Sequence, residues 1–69
     1  MGVGEWFYEK DEAQRAYDAE RIDRETYEIR TRFAIGMIYK CGDPSEMKAA
    51  ERMAKAHGYD IEELIKEVI

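Results

Sequence analysis

The chain has 69 residues, of which 39% are charged, and a formal net charge of −5, with one cysteine, Cys41, and one histidine, His57. A chain of this length forms one domain that buries only about 60% of the surface it exposes when unfolded, and it has neither the cysteine pair for an internal disulfide nor the ligands for a Cys/His zinc cluster. The acidic balance argues against broad attraction to nucleic acid or anionic lipid, and the longest apolar run is far short of the ~20 residues that a membrane span requires.

The first helix is expected from about Glu5 to Glu20. Acidic residues occupy its opening turns, and Trp6, Ala13, Ala16 and Tyr17 fall on one stripe at helical spacing. Asp11 and Arg15 stand four apart on the other face as a supporting pair. Trp6, Phe7 and Tyr8 are consecutive, and consecutive residues on a helix cannot all face one core, so one of them is exposed or faces a partner. The plainer arrangement puts Trp6 in the core with Tyr8 at its wet edge. Arg21-Ile22-Asp23 then interrupts. Asp23 suits an N-cap, and Ile22 and Tyr27 occupy the positions of a hydrophobic staple. So short a connection predicts an antiparallel helical hairpin.

The second helix is expected from about Arg24 to Lys40, with Glu28 and Arg32 paired outside and Tyr27, Ile29 and Phe33 inside or near the boundary. From Phe33 to Tyr39 it has almost no polar face. A helix that is apolar all round is buried all round, and a chain this small has too little mass to surround it, so a second protomer is expected as cover. Phe33, Ile35, Met37, Ile38 and Tyr39, with Trp6 and Phe7, are therefore the candidate contacts for self-association or for a partner. Gly36 costs about 1 kcal/mol against alanine within a helix, which marks either a close backbone approach or a helix end.

Cys41, read as a buried small hydrophobe, precedes the strongest punctuation in the chain. Gly42 suits a C-cap, Asp43 an N-cap, Pro44 the first helical position and Glu46 the reciprocal site of a capping box. The third helix therefore starts at Pro44, and its inner stripe of Met47, Ala50, Met53, Ala54 and His57 is small and flexible enough for close helix packing. Gly58 ends it. Asp60 then caps a fourth helix, with Glu63 closing the box, Tyr59 and Leu64 as a staple, and Ile61, Leu64, Ile65, Val68 and Ile69 along the apolar side. The expected fold is all-α, a compact bundle of three to four helices over residues 1–69, made of a helical hairpin and a capped helix-turn-helix corner.

The segment from Ala16 to Arg30 resembles the short C-terminal domain known as SHOCT, in which a helix ends in a small or charged turn. An Ile with Thr or Asp, an acidic pair, an aromatic followed by Glu, and a basic residue come next. Ile22, Asp23, Glu25, Tyr27, Glu28 and Arg30 stand in those places, and Gly36 falls near the glycine that often closes the motif. The resemblance covers about a third of the chain. It implies a helical hairpin used for association, and it implies no catalysis.

Other chemistry is thinly represented. Ala54 and Gly58, followed by Leu64, partly match a helix-turn-helix, but the would-be recognition helix carries Glu62, Glu63 and Glu67, which oppose phosphates. The carboxylates Glu9, Asp11, Glu12, Glu62 and Glu63 lie at helix starts, where the helix dipole accounts for them. His57 suits a helix end. No phosphate-binding glycine loop, nucleophile elbow or metal motif is present, so neither catalysis nor a cofactor is expected. The reading favoured is an intracellular interaction and oligomerisation module, homodimeric and cytoplasmic, that presents a helical face to a protein partner. A virus- or mobile-element-encoded acidic inhibitor that sequesters a host protein ranks second, and a helix-turn-helix DNA-binding protein third.

Overall fold

The computed structural model describes residues Val3 to Val68, which form four α-helices and no strand among the described residues. These are α1 (Gly4–Asp18), α2 (Arg24–Cys41), α3 (Pro44–His57) and α4 (Ile61–Glu67). No helix among them is long and apolar enough to cross a membrane. Ile69 lies outside the described residues.

Local capping chemistry fixes most boundaries. The Asp23 carboxylate accepts from the Thr26 amide at 2.8 Å, and hydrogen bonding from the Thr26 side chain, with this amide second, holds its pKa below the usual carboxylate range. At α3 the box closes in both directions, Glu46 N to Asp43 Oδ1 at 2.8 Å and Asp43 N to Glu46 Oε1 at 2.9 Å, with Pro44 at the first helical position. Gly58 takes φ 78°, and the Tyr59 amide reaches back to the Ala54 carbonyl at 2.8 Å, the Schellman closure that a left-handed residue permits.

One boundary and one cap differ from expectation. α1 stops at Asp18 instead of Glu20, because Glu20 itself takes the left-handed conformation, at φ 59°, while the Arg21 amide bonds the Ala16 carbonyl at 2.8 Å. At α4 the Asp60 carboxylate bonds the Glu62 amide at 3.0 Å, and Glu63 does not close a box. Asp60 has ψ 116°, where Asp23 and Asp43 lie near 173–174°, and this rotation aims its carboxylate one residue short.

α2 is the hub, packed against each of the other three helices. The buried core consists of Val3, Ile35, Ile38, Ala50, Ala54 and Leu64, ringed by Trp6, Phe7, Tyr39, Met53, Tyr59 and Ile61. Small residues set the spacing. Ala50 and Ala54 let α3 close on α2, and Gly36 lets α4 do the same, since a Cβ built there would lie 2.8 Å from Val68 Cγ1 and 2.9 Å from the Leu64 carbonyl oxygen. The glycine thus marks a close approach, and α2 runs through it to Cys41.

This packing corrects the premise that the Phe33–Tyr39 segment needs a second protomer. Ile35 and Ile38 are 0% exposed within the single chain, because α1, α3 and α4 enclose α2 on three sides. The Cα radius of gyration of 11.4 Å is close to the ~11 Å expected for a compact chain of this length. Cys41 is exposed instead of buried. The surface pairs also shift: Arg15 meets Glu12 at 2.8 Å instead of Asp11, and Arg24 takes Glu28 at 3.2 Å. Arg32 bridges to Glu67 and lies over the Tyr59 ring, tying α2 to α4 and its approach loop.

Candidate partner surface

With the core complete, the large hydrophobics left in solvent among the described residues are Tyr8 at 58%, Ile29 at 62% and Phe33 at 44% exposure. Two of them belong together. Ile29 and Phe33 are one turn apart on α2, so their side chains stand on the same ridge. Trp6 of α1 meets Phe33 edge-on, with ring centroids 5.4 Å apart and an interplanar angle of 66°. This T-shaped contact suits the ring quadrupoles and holds both rings in place. Trp6, Glu9, Ile29, Arg30 and Phe33 line a shallow groove of about 390 Å³ between α1 and α2.

Helical geometry explains why Phe33 is outside while its neighbours are inside. Residues two apart on a helix point about 200° apart, so Phe33 and Ile35 take opposite faces. Thr31, Ile35 and Ile38 face the core, whereas Ile29, Phe33 and Met37 form the outer ridge. Glu9 stands on the α1 side of the groove and Arg30 on the α2 side, and neither belongs to any ion pair among the described residues.

The candidate contacts therefore separate into two sets. Trp6 and Phe33 come together in the groove, with half-buried Met37 one turn further along the ridge. Phe7 and Tyr39 are half-buried against the core, and Ile35 and Ile38 are sealed inside it, so these last two present no surface to a partner. Ile29, Glu9 and Arg30 were not among the residues expected there. For Ile29 a signal existed, a large aliphatic residue four before Phe33.

A second cluster runs across the α1–α2–α3 junction. Tyr17 stacks on Tyr27 at 4.5 Å, Tyr27 approaches His57 at 6.4 Å, and His57 stacks on Tyr59 at 5.4 Å. The Tyr27 hydroxyl donates to Gln14 Oε1 at 2.7 Å, and Arg24 donates to the Tyr17 hydroxyl at 3.4 Å. Partial burial, with Lys10 adding to it, lowers the His57 pKa and favours the neutral ring. The cluster stitches three helices together and sets the histidine between the Tyr27 and Tyr59 rings.

Elsewhere, Pro44, Ser45, Lys48 and Arg52 border an open hollow of about 320 Å³ on α3. On α4, Glu62 and Glu63 face solvent and Glu67 is engaged with Arg32. No group of three His, Cys, Asp or Glu side chains among the described residues is arranged to hold a metal ion. No family model, curated protein or solved structure matches the chain.

Proposed function

We propose that the protein is an interaction module, acting in the cytoplasm and without catalysis, that seats an apolar anchor of a protein partner on the face formed by Trp6, Ile29 and Phe33. One observation carries this reading: a chain that seals Ile35, Ile38 and Leu64 inside leaves Ile29 and Phe33 exposed, with Trp6 edge-on to the Phe33 ring. Exposed large hydrophobics grouped in one groove with polar residues at its edge mark interaction surfaces, and aromatic anchors dominate binding at such surfaces. A helical hairpin built for association is also what the likeness to SHOCT implies.

Ile29→Glu tests the reading with little risk to the fold, since most of that side chain is already in water. Tagged wild-type and variant proteins are passed through an extract of the source cells, bound proteins are identified by mass spectrometry, and circular dichroism checks folding. Specific partners retained by the wild type are expected to be lost by the variant. A folded Ile29→Glu protein that keeps them all would place recognition on another face.

A further inference from the structure

The groove has a symmetry of composition that points to its occupant. Apolar side chains line it together with one acid from α1 and one base from α2, and that acid and base form no ion pair among the described residues. A two-fold axis through the middle exchanges the two sides. It therefore sets acid over base twice, which is the self-complementarity that an isologous interface demands. Resting on the reading above, we infer that the occupant is a second copy of this chain, docked so that Ile29 and Phe33 of each copy meet and Glu9 of each faces the partner's Arg30.

Two physical points support this assignment. The outer ridge of α2 is an i, i+4 row, Ile29–Phe33–Met37, and rows of that kind interdigitate with one another at about −50°, the commonest helix crossing. A second copy supplies such a row without further assumption. The net charge of −5 per copy does not prevent the approach. At physiological salt the Debye length is about 8 Å, so distant charges are screened and those at the groove's edges decide the register. A membrane surface or nucleic acid would be matched by a basic excess, which one acid and one base do not provide.

Sedimentation velocity over about 10 μM to 1 mM, the range suited to a small interface, tests the inference with a charge-swap series. The wild type forms a dimer, and Phe33→Glu leaves a folded monomer by circular dichroism. Glu9→Arg and Arg30→Glu each juxtapose like charges at two symmetric positions and weaken the dimer about tenfold. The double swap restores the reciprocal pairs and returns the affinity to within about threefold of wild type. A wild type monomeric at 1 mM, a dimer indifferent to Phe33→Glu or to the single swaps, or a double swap no better than either single would overturn the inference. Should the wild type stay monomeric while Ile29→Glu still sheds partners in extract, the self-docking fails and the interaction module stands. If both experiments are negative, both readings fall.

Discussion

Replacing Gly36 by alanine sets two effects of comparable size against each other. Alanine is favoured over glycine in a helix interior by about 1 kcal/mol, so an isolated α2 would gain. In the folded protein the new Cβ would lie 2.8 Å from Val68 Cγ1 and 2.9 Å from the Leu64 carbonyl oxygen, both inside van der Waals contact. Val68 follows the end of α4 and can swing, but the Leu64 oxygen is backbone in mid-helix and retreats only if α4 shifts. Overpacking of this kind costs about 1–3 kcal/mol. Gly36→Ala should therefore be destabilising by about 1 kcal/mol net, lowering the melting temperature by about 4–8 °C. Gly4→Ala is the control, because nothing lies within 4 Å of a Cβ there, and it should lower stability little if at all. Adding Val68→Ala to Gly36→Ala removes the side-chain clash and should recover part of the loss. A Gly36→Ala protein that melts higher than wild type would show that α4 does not rest on α2 at this point.

Thr31 is 1% exposed and its hydroxyl has no hydrogen-bond partner among the described residues, so Thr31→Val should stabilise by about 1 kcal/mol in urea unfolding, and a loss instead would reveal a partner for the oxygen. Glu20→Gly relieves a left-handed glutamate. The strain of about 1–2 kcal/mol exceeds the entropy that glycine loses, so a gain of up to about 1 kcal/mol is expected, and a lower melting temperature would mean that the turn does not need positive φ. Asp43→Ala breaks the capping box and should cost about 0.5–2 kcal/mol, against little change for the exposed Asp18→Ala, so equal shifts would contradict the α3 boundary. Burial, with Lys10, depresses the folded pKa of His57, so the unfolded chain takes up the proton first. The stability from this group is full above about pH 6.5 and is lost as pH falls through the lower folded value. Melting curves from about pH 7.5 to 5.5 should decline on the acid side and flatten in His57→Gln, and identical slopes for the two proteins would remove His57 as the cause.

What was legible in the sequence is what is written locally. Asp43-Pro44-Ser45-Glu46 specifies a helix start from four adjacent residues, and Gly58 specifies a stop, so these boundaries needed no tertiary information. Glu20 shows the limit of local reading, because a glutamate carries no mark of the left-handed conformation that the Ala16 to Arg21 closure imposes on it. Asp60 illustrates a finer limit. Its identity announces a cap, but only its ψ decides which amide receives it. Spacing pairs Arg32 with Glu28, whereas in the fold Arg32 bonds Glu67, 35 residues away, because the docking of α4 brings that carboxylate within reach while Arg24 takes Glu28.

The candidate surface was half legible for a related reason. Periodicity identifies the buried stripe of a helix with one neighbour, and α2 has three. Each covers a different arc, so the Phe33–Tyr39 run reads as apolar all round, although its exposed strip is narrow and held by Phe33 within that run. Which arc stays open depends on where α3 and α4 settle, and that is decided by Ala50, Ala54 and Gly36, residues whose importance lies in the side-chain bulk they lack. The same fact explains why core and surface are separable on one helix. Ile35 and Ile38 can be altered only at the expense of the fold, whereas Ile29 and Phe33 lie on the opposite ridge, where a charged substitution meets water and groove. A selective loss of association at Ile29, with thermal stability intact, is therefore the signature that distinguishes a built binding face from incidental exposure.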